Sequence, residues 1–275
     1  MVLLLAVLCG LVLGSLAADA RASDMPRSAP RGDEVHGDDV RDEFVGSGGL
    51  ILPGSVDDHT RREVAACGGC QFRVTSPCSS TDLGAPLDDQ CSSVVRGCPG
   101  GQLRRTWFRP ETGSWRDTGL VCTRVGLWTV AQAADEVADR MARGVPPALV
   151  GVEPATGVLP HLPTYFATGT DAPSVTLSFT VAGHEVEARA EAAWSWSFGD
   201  GGTLETRDPG GRYPAGAVTH AYRVAGRYRV ECWTTWRAVF WTEGLGPFPV
   251  PEPVRQHAQQ DVTVGEGRAV LVPVR

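Results

Sequence analysis

Lysine and asparagine are absent from the 275 residues, and isoleucine occurs once, at Ile51. All 25 basic residues are therefore arginine. This has the look of GC-rich coding, so an arginine standing where another protein has lysine carries no binding message by itself. Positive charge is also scarce: 25 basic residues against 32 acidic ones leave a net charge of −7. That excludes a general nucleic-acid binder, because phosphates need a basic surface. Catalytic signatures are missing as well. There is no G-x-S-x-G, no H-E-x-x-H and no phosphate-cradling glycine loop. Glu185 and Glu187 stand two apart on a strand and face one side, the geometry of a carboxylate pair. A solvated sheet face accounts for them much better, so the chain reads as a non-enzyme with no cofactor and no metal.

Glycine and proline are abundant, at 33 and 20 residues. They favour turn-rich β structure over a helical bundle. Residues 2–18 are nearly all apolar and small, and Ala18-Asp19-Ala20 and Ala20-Arg21-Ala22 each offer a cleavage site. Residues 1–22 thus read as a secretory signal without its basic start, or else as an uncleaved anchor, the chain's one route to a membrane. Residues 23–66 hold ten acidic and five basic residues and read as an acidic, disordered spacer.

Residues 67–123 form a Cys-rich module. Cys67, Cys70, Cys78, Cys91, Cys98 and Cys122 are an even cluster downstream of a signal, which predicts three disulfides of open connectivity. Zinc is the rival for Cys67-x2-Cys70, but no second ligand pair follows. Gln102 to Arg109 and Ser114 to Val121 flank Pro110-Glu111-Thr112-Gly113 and read as a hairpin. Cys98 and Cys122 lie just outside its strand ends, so pairing them would close its base. Thr129 and Gln132 match a capping box. Val130, Ala134, Val137 and Met141 recur at helical spacing over 129–144. Gly144 is expected as a left-handed cap before Pro146-Pro147.

From 147 to 275 the chain reads as all-β. Trp194, Trp196 and Phe198 alternate onto one face, as do Val218, His220 and Tyr222, and again Tyr228, Val230, Cys232 and Thr234. Trp233 and Arg237 point the other way. Five of the eight tryptophans lie between 194 and 241. Trp233, Trp236 and Trp241, with Arg237, are the candidate binding group, able to stack on sugar rings or a partner protein.

Trp196-Ser197-Phe198-Gly199-Asp200-Gly201, then His220-Ala221-Tyr222, then Gly226-Arg227-Tyr228-Arg229-Val230 resembles the PKD domain pattern W-x-F-G-D-G, H-x-Y, G-x-Y-x-V. The resemblance implies an immunoglobulin-like β-sandwich, used outside the cell as a spacer or adhesion module. The layout is similar to exported actinobacterial proteins in which a Cys-pair hairpin and a helix precede such a domain. On this reading Trp196, Phe198, Gly199, Asp200, Gly201, His220, Tyr222, Gly226 and Tyr228 are structural. Asp200 fastens its own turn, and the tyrosine hydroxyls bond backbone. Cys232, where the family usually has an aliphatic residue, is expected as a buried free thiol. The expected role is non-catalytic binding of an envelope protein or glycan, with a passive surface spacer and a secreted hydrolase as alternatives.

Overall fold

Alternation of apolar and polar residues runs through most of the chain, and the strands follow it. The computed structural model describes residues 36–38, 43–77, 98–124, 126–170, 172–181 and 183–267. The expected signal, Cys78 and Cys91 lie outside the described residues.

An N-terminal antiparallel sheet has the order β1-β2-β4-β5-β6, formed by β1 (His36–Asp38), β2 (Glu43–Ser47), β4 (Gln71–Thr75), β5 (Gln102–Arg109) and β6 (Arg116–Thr123). Its hairpin β5–β6 is closed at the base by the Cys98–Cys122 disulfide, with Cα atoms 5.5 Å apart. Helix α1 (Asp58–Ala66) is capped by Asp57, whose side chain accepts from the Thr60 N–H at 2.9 Å. It runs into a second disulfide, Cys67–Cys70, so these two sulfurs are not metal ligands. The stretch expected as spacer therefore contains β1, β2 and α1. Leu50, Leu52, Val56 and Val64 supply the core on which Phe72, Phe108 and Val121 close. The acidic average of residues 23–66 hides this apolar content.

Strand β3 (Leu50–Ile51) pairs with β7 (Trp128–Thr129), leading into α2 (Val130–Gly144). Both capping-box bonds form, Gln132 N–H to Thr129 Oγ1 at 3.0 Å and Thr129 N–H to Gln132 Oε1 at 2.9 Å. Ala133, Ala134, Val137 and Met141 are buried. Gly144 is not the left-handed cap. It is helical, Val145 is the extended C-cap, and a Cβ at Gly144 would collide with the Leu177 side chain. The atom met is a terminal methyl of a flexible side chain, which can turn aside.

The larger sheet comprises β10 (Ser174–Val181), β11 (His184–Ser197), β12 (Thr203–Thr206), β14 (Gly226–Thr242), β15 (Leu245–Pro249) and β16 (Val254–Val264). Strand β14 is its spine, pairing with β11 along one side and with β15 and β16 along the other. A smaller sheet of β8 (Gly151–Glu153), β9 (Thr164–Ala167) and β13 (Thr219–His220) forms the second layer. The fold is mainly β with an immunoglobulin-like sandwich, as expected. Even-numbered residues of β11 and β14 face inward. Trp194, Trp196, Val230, Cys232, Trp236 and Phe240 all join the core with Phe166, Phe198 and Tyr222. Among the described residues Cys232 is the free cysteine. Burial pushes its thiol up to about 12, against a hydrogen bond with Thr234 that lowers it, so it is an unreactive core residue.

A buried polar joint connects module and sandwich. Arg61 donates through Nε to the Leu52 carbonyl at 3.1 Å and through Nη2 to the Glu243 carbonyl, in the β14–β15 turn. His184 stacks on Trp128 with centroids 4.8 Å apart. Its ring nitrogens lie 3.1 Å from Glu243 Oε1 and 3.2 Å from the Gly126 carbonyl.

Candidate functional site

Two places merit attention: the F-G-D-G turn and the outer face of the larger sheet. The turn is built for rigidity. Phe198 leaves β11 stacked flat on His220, with centroids 4.3 Å apart. Gly199 has φ 83°, and a Cβ there would sit 2.6 Å from the Arg229 carbonyl oxygen, so only glycine fits. Asp200 Oδ1 accepts from the Gly202 N–H at 3.0 Å, and Oδ2 lies 2.7 Å from His220 Nε2. Tyr222 stands edge-on to His220 and stacks on Tyr228. The Tyr222 hydroxyl donates to the Phe198 carbonyl at 3.3 Å and the Tyr228 hydroxyl to the Val224 carbonyl at 2.8 Å. Trp196 lies beneath, 1% exposed. Gly201 has positive φ with open space beside it, and Gly226 opens β14. Asp200, His220, Tyr222 and Tyr228 thus each have an internal partner, whereas the buried Trp196 indole N–H has none among the described residues.

Burial works against ionisation of Asp200, but the bonds from His220 and the Gly202 N–H outweigh it and leave the carboxyl below its ordinary 3.8. A folded value below the unfolded one gives stability that is full above the unfolded value and is lost as pH falls through the folded one. Asp200→Ala should therefore be less stable than the unchanged chain by about 1–2 kcal/mol at neutral pH. In urea titrations that gap should shrink only as pH falls below 3.8.

The outer face carries the odd-numbered residues of β11, β14 and β16. Trp233 is 50% exposed. Its ring stacks on His257 of β16 with centroids 4.1 Å apart, and His257 Nε2 lies 3.7 Å from Glu231 Oε1. Across the sheet Trp233 is opposite Ser195, itself opposite Glu205. The small serine leaves that flank of the indole open.

The other candidate binding residues do not join this group. Trp236 is buried at 2%, because it shares parity with Cys232 and Thr234 and so points into the core. Arg237 is exposed and opposite Glu191, but four residues along a strand put it roughly 13 Å from Trp233. Trp241 is half-buried over Gly246 of β15, roughly 26 Å away along the same strand. The expected four-residue patch reduces to Trp233, and its true neighbours, His257 and Glu231, come from strand pairing. Glu185 and Glu187 do share the outer face, opposite Thr180 and Ser178. Thr180 Oγ1 donates to Glu185 at 2.7 Å. Among the described residues no three His, Cys, Asp or Glu side chains gather as a metal site, and no helix is long and apolar enough to cross a membrane.

The PKD domain family model matches residues 162–232, roughly a quarter of the chain. PKD domains are non-catalytic modules typical of extracellular proteins. The match spans β9 to the first half of β14. It takes in the F-G-D-G turn, H-x-Y and G-x-Y-x-V. It ends one residue before Trp233, so the outer-face aromatic pair lies beyond it. No curated protein matches the chain.

Proposed function

We propose that this is an exported cell-envelope protein whose sandwich binds a glycan or another envelope protein, without catalysis, through the outer face around Trp233. The observation that carries this reading is a half-exposed indole held on a rigid sheet. Trp233 is braced by His257 on one side and left open beside Ser195 on the other. A large aromatic that could have packed inward by a one-residue shift stands in solvent instead, flanked by hydrogen-bonding groups. The two disulfides among the described residues fit an oxidising compartment, and the matched module fits a role in interaction.

The test is co-sedimentation with purified cell-wall glycan and, separately, with a solubilised envelope protein fraction. Trp233→Ala should weaken association at least tenfold, a loss of about 1.4 kcal/mol, with the melting curve unchanged. Equal association of both proteins with each preparation would refute the binding face and leave a passive spacer.

A further inference from the structure

Strand β16 is a long regular sheet edge. Its residues pair with β14 from Val254 to Val264 without a register shift. Among the described residues nothing pairs with its other side before Val264, where Val158 forms a parallel bridge. Edges of this kind are normally blunted by proline, a bulge or lysine. Strand β15, which continues the same side of the sheet, follows that rule. It carries Pro247 and Pro249 and a register shift opposite β14. Strand β16, VRQHAQQDVTV, has no proline, glycine or bulge.

The sequence of β16 is self-complementary. In an antiparallel pair, opposite residues point to the same face. A twofold axis at Ala258 places outward Arg255 opposite outward Asp261 of the second copy, and the symmetry repeats the contact. Gln256 then meets Gln260, and Val254 meets Val262 on the inward side. Centring on Gln259 instead puts Arg255 opposite Thr263 and loses both charge pairs. Within one chain Asp261 accepts from Arg229 at 3.3 Å. Both side chains are well exposed, so this pair is weak and its second carboxylate oxygen can meet Arg255. Beside the edge runs a groove of about 1250 Å³, lined among others by Gly151, Glu153, Tyr165 and Gln260. Strand β10, on the far side of the sheet, sets only Ser and Thr on its outward face and offers no charge to fix a register.

We propose that β16 is the docking edge for a second copy of this chain. Two copies join antiparallel about Ala258 into one continuous sheet, an isologous interface. The inference does not depend on ligand binding at Trp233, although it would place two such rings on one face. Sedimentation velocity on the purified, oxidised chain, from micromolar to hundreds of micromolar, should show a monomer–dimer equilibrium. Arg255→Glu and Asp261→Arg should each weaken it at least tenfold. An equimolar mixture of the two should restore it, because both pairs across that heterodimer are again opposite in sign. Amide exchange over 254–263, slower at high than at low concentration, reads the same edge without any substitution. A chain that stays monomeric throughout overturns the proposal, as does a dimer that survives both substitutions or a mixture that fails to re-form it. An edge covered by another segment of the chain would give the first of these results.

Discussion

Replacing Trp236 by alanine lowers the stability of the sandwich by about 3–5 kcal/mol, the range for emptying a large aromatic site in a core. The indole is 2% exposed and sits mid-sandwich, in one cluster with Trp194, Trp196 and Phe240. It lies on β14 where that strand pairs with β11 at Ala192 and with β16 at Val254. Strands on both sides of the vacated site are tied into ladders, so the cavity cannot collapse cheaply. The indole N–H has no hydrogen-bond partner among the described residues, so no polar bond is lost and the cost is volume alone. Trp236→Phe should accordingly recover more than half of the loss. The comparison that decides the matter is Trp233→Ala, three residues away on the outer face, which should shift stability by less than about 0.5 kcal/mol. Guanidinium titrations of the three variants measure all of this. A loss for Trp236→Ala no larger than that for Trp233→Ala would mean that the strand is turned over.

The contrast shows what the residue pattern does and does not disclose. Alternation in Tyr228, Val230, Cys232 and Thr234 marks the inward face, and continuing it by one step already assigns Trp236 to the core. Grouping Trp236 with Trp233 and Trp241 as a surface cluster set nearness in sequence above parity. The stacking of Trp233 on His257 is different. It depends on the register between β14 and β16, two strands separated by a hairpin excursion through β15, and no local signal carries that. The capping box at Thr129 was legible because both of its bonds are local. The helix end was not, since glycine can also serve as a last helical residue, and Val145 takes the cap instead. Net charge misled over 43–66, because an amphipathic helix capped by Asp57 can be acidic outside while Val64 and Ala65 are buried within. The three PKD blocks were legible as a set, since a turn glycine, a turn carboxylate and core tyrosines keep fixed offsets from the strands they fasten.

Removing the Cys98–Cys122 bridge, by Cys98→Ser with Cys122→Ser, should cost the N-terminal module about 3–4 kcal/mol. The bridge spans 24 residues, and closing a loop of that length restricts the unfolded chain by that much. Two further considerations fix how the loss is felt. The module has a small core, with Leu52, Phe72, Phe108 and Val121 among its few large buried side chains, so the loss is a large share of its stability. The sandwich has its own much larger core and holds the module through the β3–β7 pairing and the joint of Arg61, Glu243, His184 and Trp128. If that joint coupled the two units tightly, the variant would still unfold in one transition, at a lower midpoint. Besides the strand pairing, the polar contacts and the stacked ring pair, Ile51 and Ala65 of the module pack into the sandwich's cluster, a smaller apolar contact than the module's own core of Leu50, Leu52, Val56, Val64, Phe72, Phe108 and Val121. The module should therefore unfold first. Calorimetry of the variant should resolve an early transition that the oxidised chain lacks, and the late one should keep its midpoint. Tryptophan fluorescence should follow the same order: Trp107 of the hairpin is exposed in the first step, while Trp194, Trp196 and Trp236 stay buried until the second.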